Sequence, residues 1–131
     1  MGLFRKKKLG LTREQLQWNA IWQLWAEEKA RSPYAELMTY QSEMDNGGHE
    51  QYFDHVIEFG NLPYELSVLD QVLPVKLRKN LTKAHHAYLV LQKNEDDEKA
   101  EDTLEHCDDV FFENEEQIDT ILKRYADEIR L

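Results

Sequence analysis

The chain has 131 residues and a formal net charge of −10, with 26 acidic and 16 basic side chains. This length suits one domain, and its three Trp, six Tyr and five Phe exclude a wholly disordered chain. One cysteine excludes an intrachain disulfide framework and a multi-cysteine zinc site. Apolar runs of only a few residues exclude a membrane span, and residues 1–10 lack the apolar core of a secretory signal. A cytoplasmic protein is therefore expected.

The first part of the chain predicts a basic arm followed by a helix. Residues 1–10 are expected to form a flexible arm that carries the basic run from Arg5 to Lys8. Thr12 and Gln15 fit a capping box, in which each side chain satisfies a free backbone N–H at a helix start. One face of this helix is marked by Trp18, Ile21, Trp22 and Trp25. Those tryptophans are expected either in the core or on a partly exposed dimer or partner surface, where Trp is enriched.

Prolines and glycines divide the rest into further helices. Ser32 and Pro33 predict a second helix start, with Ser as its cap. Pro63 and Pro74 open later helices. Further helices are expected over about residues 50–59, 96–112 and 115–129, the first with Tyr52, Phe53, Val56 and Ile57 turned inward. Residues 11–131 are thus predicted to form a single all-α domain of about seven helices.

The charge is divided unevenly along the chain. Residues 95–119 contain 13 acids and one base, Lys99, for a net charge of −12. As helix, this stretch would carry one net charge per roughly 3 Å, similar to one DNA strand. It is either a solvated face or a docking surface for a basic partner, and a DNA-binding protein is a candidate for that partner. Direct nucleic-acid binding is disfavoured because phosphates would be repelled. The predicted partner-binding residues are Glu98, Glu101, Asp102, Glu105, Asp108, Asp109, Glu113 and Glu116.

Residues 44–53 read Met-Asp-Asn-Gly-Gly-His-Glu-Gln-Tyr-Phe. This segment resembles the signature of a bacterial family of small helical domains, catalogued mainly as a domain of unknown function and named after a DNA-mimic protein. The family pattern is an acidic or polar residue, Asn-Gly-Gly, one variable residue that is often aromatic, and, after a short gap, Gln and two aromatics. The segment Asp-Asp-Val-Phe-Phe at 108–112 resembles the family as well. The resemblance covers about residues 18–129 and implies an all-α fold, a homodimer and imitation of DNA toward a DNA-binding protein.

The signature residues also have a direct structural interpretation. Gly47 and Gly48 allow a sharp turn between helices, and Asn46 is suited to capping or to positive φ. Gln51 is expected to bond backbone at the turn. Tyr52 and Phe53 are expected to anchor the next helix in the core. The alternative is a ligand or partner pocket built on this turn.

Metal and catalytic candidates are few. The cluster beside the turn is His49, Glu50, Asp54, His55 and Glu58. Oxygen and imidazole ligands suit a divalent metal, but the two histidines lack the His-Glu-x-x-His spacing of zinc proteases. Cys107 follows the apolar pattern of its helix and is expected to be buried. No phosphate loop, dinucleotide fingerprint or nucleophile elbow occurs.

The sequence therefore predicts an acidic, non-enzymatic interaction protein without metal or cofactor, which binds a basic protein through carboxylates of residues 95–119. One alternative is a metal-dependent or enzymatic site at the Asn-Gly-Gly turn. Another is an immunity or antitoxin-like protein, which would use the same acidic contact toward a different partner.

Overall fold

A computed structural model of the chain describes residues 10–131. It contains the helices α1 (Arg13–Ala26), α2 (Tyr34–Phe59), α3 (Leu62–Val72), α4 (Val75–Lys93), α5 (Glu98–Glu113) and α6 (Glu115–Asp127). Within these described residues there is no strand, so the all-α prediction is confirmed. Residues 10–131 contain six helical elements where seven were expected, because the helices before and after the non-helical residues Gly47 and Gly48 run on as two arms of one kinked element, α2. The predicted basic arm lies outside the described residues, apart from Gly10.

Polar side chains cap three of the helix starts. The Thr12 hydroxyl accepts from the Gln15 N–H at 3.1 Å, and the Gln15 side chain accepts from the Thr12 N–H at 2.8 Å, so the predicted capping box is confirmed. Asn61 and Asp97 cap α3 and α5 by accepting from the backbone N–H groups of Tyr64 and Ala100, without a reciprocal bond. The predicted Ser32 cap is wrong. The N-cap position of α2 is Pro33 and no side chain caps this start; the Ser32 hydroxyl instead donates to a Glu36 carboxylate oxygen at 2.7 Å.

The long kinked helix α2 lies at the centre of the fold. It contacts all five other helices, while α4 and α5 form the most extensive pair. A single core cluster joins the helices, with the largest fully buried side chains being Tyr40, Tyr52, Phe53, Phe111, Ile21, Leu37, Met38, Met44, Leu69, Leu77, Ile118 and Leu122. This placement of α2 brings the Asn-Gly-Gly segment against the acidic helix α5.

Two apolar predictions differ in outcome at the edge of the core. Ile21 is fully buried, whereas Trp18, Trp22 and Trp25 are only partly buried against the core. Ile57, predicted to turn inward, is 53% exposed. Tyr52, Phe53 and Val56 set the buried arc, and at about 100° per residue Ile57 lies roughly 90° from its centre.

None of the helices in residues 10–131 combines the length and the apolar character needed to cross a bilayer.

Candidate functional site

The outward face of α5 carries six carboxylates, with the exposed ring of Phe112 among them. The core side of this helix is set by Ala100, Leu104, Cys107 and Phe111. At about 100° per residue, six acids occupy an arc of roughly 120° on the opposite side. We call this set the acidic stripe: Glu98, Glu101, Asp102, Glu105, Asp109 and Glu113. The amphipathic pattern of α5 thus places these predicted residues on one surface.

The acidic stripe is exposed and carries no paired countercharge. All six of its side chains are exposed, and none forms an ion pair within residues 10–131. From Glu98 to Glu113 the helix rises about 22 Å, which gives one carboxylate per roughly 4 Å. One DNA strand carries a phosphate about every 3.4 Å along its axis. The linear charge density of the stripe therefore approaches that of a nucleic-acid strand.

Asp108 departs from the predicted partner-binding set. Its side chain is only 28% exposed and points away from the acidic stripe, toward the kink in α2. One oxygen, Oδ1, accepts from the His49 backbone N–H at 2.9 Å and lies 2.7 Å from His49 Nδ1. Asp108 is thus engaged inside the fold, because its position on α5 is about 80° from the centre of the stripe.

Glu116 also lies apart from the stripe, on α6. The chain turns at Asn114, whose side-chain amide donates to the Val110 carbonyl at 2.7 Å. Beyond this turn, Gln41 of α2 donates to Glu115 at 3.1 Å and to Asp119 at 2.8 Å. The acids of residues 95–119 therefore form two surfaces, the stripe on α5 and a second group at the start of α6.

The second acidic group holds a carboxyl with a perturbed pKa. Burial, followed by a hydrogen bond and charge repulsion from Asp45, raises the pKa of Glu115 to about 7. The Gln41 amide acts in the opposite direction, because it stabilises the carboxylate form. The charge of this group therefore changes near neutral pH.

The kink of α2 depends on one glycine. Gly48 has φ of +77°, a left-handed conformation that favours glycine. A Cβ atom there would lie 2.4 Å from Asp108 Oδ2. The left-handed residue is therefore Gly48 and not Asn46, which the sequence had offered as a candidate. The close approach lets Asp108 cap the free His49 N–H at the start of the second arm of α2.

His49 links this turn to the core. It is fully buried, and its Nε2 atom lies 2.6 Å from the hydroxyl of the equally buried Tyr40. Because a carboxylate can only accept, the His49 ring donates from Nδ1 to Asp108, and the Tyr40 hydroxyl completes the chain of hydrogen bonds at Nε2. Burial is the main reason that the pKa of Tyr40 is raised well above its usual value. Because Tyr40 and His49 have no solvent-accessible surface, this chain of hydrogen bonds holds the turn rather than presenting a group to a substrate.

The remaining signature residues have structural contacts. Tyr52 and Phe53 are fully buried, as predicted. Gln51 donates to the Glu43 carboxylate at 3.3 Å, so it bridges the two arms of α2 through a side chain and the predicted backbone bond is wrong. The Tyr52 hydroxyl is buried without a hydrogen-bond partner among the described residues.

The histidine and carboxylate candidates near the turn do not converge. Asp54 accepts from the Tyr88 hydroxyl at 2.6 Å, and His55 lies 3.6 Å from Glu43. Within residues 10–131, no group of three or more His, Cys, Asp or Glu side chains is arranged to hold a metal ion. Cys107 is fully buried, and burial raises its pKa, so little thiolate forms at neutral pH.

A basic face on α4 lies beside the acidic helix. Lys76, Lys79, Lys83 and His86 recur at steps of three and four residues and are all exposed. None of these three lysines forms an ion pair in the described part of the chain, so the basic face does not neutralise the acidic stripe. The bases of residues 76–83 were visible in the sequence, but their placement next to α5 depends on helix packing.

No family model, curated protein or solved structure matches this chain.

Proposed function

We propose that this chain is a non-enzymatic interaction protein whose acidic stripe docks on a basic protein surface. The observation that carries the proposal is the arc of six exposed carboxylates on the outward face of one helix, none of which forms an ion pair within residues 10–131. A protein that needed only solubility could intersperse lysines and avoid the repulsion between like charges at i and i+4. The stripe supports electrostatic steering toward a positively charged partner.

A DNA-binding protein is the partner class that we propose, because the stripe presents charge at nearly the spacing of a nucleic-acid strand. The resemblance of the signature segment to the DNA-mimic family supports the same class. A toxin neutralised by acidic contact would use the same surface. Direct binding of nucleic acid to the stripe is disfavoured by charge repulsion.

The test is affinity capture from native lysate at low salt, followed by elution in a salt gradient. We expect the partner of the unmodified chain to elute well below 1 M salt, because exposed charges are screened within about 8 Å at physiological ionic strength. Four substitutions on the stripe, Glu98→Gln, Glu101→Gln, Glu105→Gln and Asp109→Asn, should abolish capture.

A matched control removes the same number of charges elsewhere. The exposed acids Glu27, Glu58, Asp70 and Glu128 lie outside the stripe, and their amide variants should retain capture. Retention by the stripe variant, or equal loss in both variants, would refute a docking role for the stripe.

A further inference from the structure

A groove separates the first half of α1 from the middle of α6. It has a volume of about 620 Å³ and opens along residues of both helices. The Trp18 ring and the buried Ala126 supply its apolar surface. Trp18 is only partly buried and packs against the core, with its ring 6.5 Å from Trp22 in an edge-on arrangement. The groove therefore offers an aromatic surface whose position is fixed by packing against Trp22 and the core.

The rim of this groove is acidic. Four carboxylates line it, from Glu14, Glu116, Asp119 and Asp127, against one ammonium group, from Lys123. Lys123 lies 3.9 Å from Glu14 and 3.4 Å from Asp127, so it offsets part of the charge of these two residues. Glu116 has no ion pair within residues 10–131, and Asp119 accepts only the Gln41 amide. The net charge of the rim is negative on the α6 side.

We infer that the groove binds a short basic peptide segment that carries a large apolar side chain, supplied by the basic partner of the proposed function, on which this inference rests. The apolar side chain would cover the Trp18 ring, and flanking Lys or Arg side chains would reach Glu116 and Asp119. Charge complementarity selects this occupant, because an acidic segment would be repelled by the rim and a purely apolar one would leave its carboxylates without partners. A cation above the Trp18 face would add a further attraction.

The test uses a synthetic amidated peptide with Leu-Phe between two Lys-Arg pairs, titrated into the full chain by isothermal calorimetry in 50 mM salt. We expect saturable 1:1 binding. Replacing Leu-Phe by Ala-Ala in the peptide should weaken binding about tenfold, because the apolar contact with Trp18 is lost. Equal binding of both peptides would show attraction by charge alone and would overturn the inference.

Two variants of the chain probe the groove directly. Thr120→Phe changes an exposed groove residue to a ring that fills the groove, and it should weaken peptide binding at least tenfold. The double variant Glu14→Gln and Glu116→Gln keeps the groove open and should weaken binding about threefold to tenfold. The matched control, Glu58→Gln with Asp70→Asn, should bind like the unmodified chain. Unchanged binding in both groove variants would overturn the inference, with circular dichroism confirming that each variant is folded.

The chain's own residues 3–8, Leu-Phe-Arg-Lys-Lys-Lys, resemble the peptide, since both combine Leu and Phe with four basic side chains. Replacing Arg5, Lys6, Lys7 and Lys8 by Gln should leave peptide affinity unchanged. Tighter peptide binding in that variant would assign the groove to the chain's own segment and overturn the assignment to a partner. The outcome is separable from the proposed function, because the peptide titration reports on the groove and the lysate capture reports on the stripe of α5.

Discussion

Gly48 holds the two arms of α2 and the acidic helix in contact. Its left-handed backbone and the closeness of Asp108 are independent demands, since one concerns φ and the other concerns space. An alanine at this position would violate both demands at once. These two demands therefore explain why a glycine stands at position 48, opposite Asp108 of α5.

We expect Gly48→Ala to lower the free energy of unfolding by about 2–4 kcal/mol, as the sum of a left-handed alanine and the displacement of Asp108 from the His49 N–H. Urea denaturation measures this change. Gly60→Ala is the control, because its φ is −138° and a Cβ there would lie 3.3 Å from the Val56 carbonyl oxygen. The control should lose about 1 kcal/mol or less, and equal losses in the two variants would contradict the role assigned to Gly48.

The local sequence around Gly48 predicted only part of the structure of the turn. Asn-Gly-Gly indicated a turn, since glycine tolerates conformations that close a helix. Which residue takes positive φ, and what lies against it, could not be predicted. Asp108 is 60 positions after Gly48 in the chain, and no local pattern connects them.

At the scale of the element, the packing of α3 on α2 buries the carboxyl group of Glu65, and this burial costs free energy when the group is charged. Oε1 of Glu65 is buried without a hydrogen-bond partner in the described residues, and so is the nearby Tyr52 hydroxyl. Burial, followed by repulsion from Glu36, raises the pKa of Glu65 to about 7. Burial and the charges of Glu65 and Glu36 also raise the pKa of Tyr52. The folded chain therefore favours the protonated form of Glu65.

Because the pKa of Glu65 is higher in the folded chain than in the unfolded chain, Glu65 contributes most to stability at acidic pH. In the unfolded chain Glu65 titrates near 4.5, and in the folded chain near 7. Stability from this group is complete below about pH 4.5 and declines as the pH rises through 7. We expect Glu65→Gln to raise the free energy of unfolding at pH 8 by about 1 kcal/mol, after solvent screening of a half-buried group is allowed for.

At pH 4 the gain in Glu65→Gln should vanish, because glutamine then replaces an already neutral carboxyl. Thermal denaturation at the two pH values measures the difference. Glu58→Gln, at an exposed position of α2, should show no such pH-dependent gain. A gain for Glu65→Gln that is equal at both pH values would show that the effect is not due to ionisation.

The elements themselves followed closely from local rules. Thr12 with Gln15 marked the start of α1, and Pro74 preceded α4 as expected. The Ser32 cap was wrong because its hydroxyl bonds the Glu36 side chain, and the inward Ile57 was wrong because it lies beyond the edge of the buried arc. Helical periodicity reports which residues share a face, but not where the edge of the buried arc falls.

At the scale of the whole molecule, the crowded carboxylates of the acidic stripe and the net charge of −10 favour expansion of the chain through self-repulsion. We expect added salt to stabilise the fold, since a rise from 20 to 300 mM NaCl shortens the screening length. The expected gain in Tm is about 4 °C, equivalent to roughly 1 kcal/mol for a domain of this size. Differential scanning calorimetry measures it.

The amide variant at Glu98, Glu101, Glu105 and Asp109 should show a smaller gain in Tm with salt than the unmodified chain. The four-residue control away from the stripe should fall between them, because three of its acids, Glu27, Asp70 and Glu128, already lie in ion pairs and contribute less to the repulsion. A salt response of the stripe variant as large as that of the unmodified chain would mean that the stripe is not a main source of repulsion.

The all-α class, most helix starts and the acidic face of α5 could be read from the sequence, because capping, helical periodicity and charge runs act between residues within about four positions of one another. Packing between distant helices decided the rest. It took Asp108 out of the acidic surface, placed the acids of α6 against Gln41, and brought Trp18 of α1 beside α6 to form a groove. The two residues in each of these contacts lie between 59 and more than 100 positions apart in the sequence. Over such separations, no local sequence pattern indicates which side chains will be in contact.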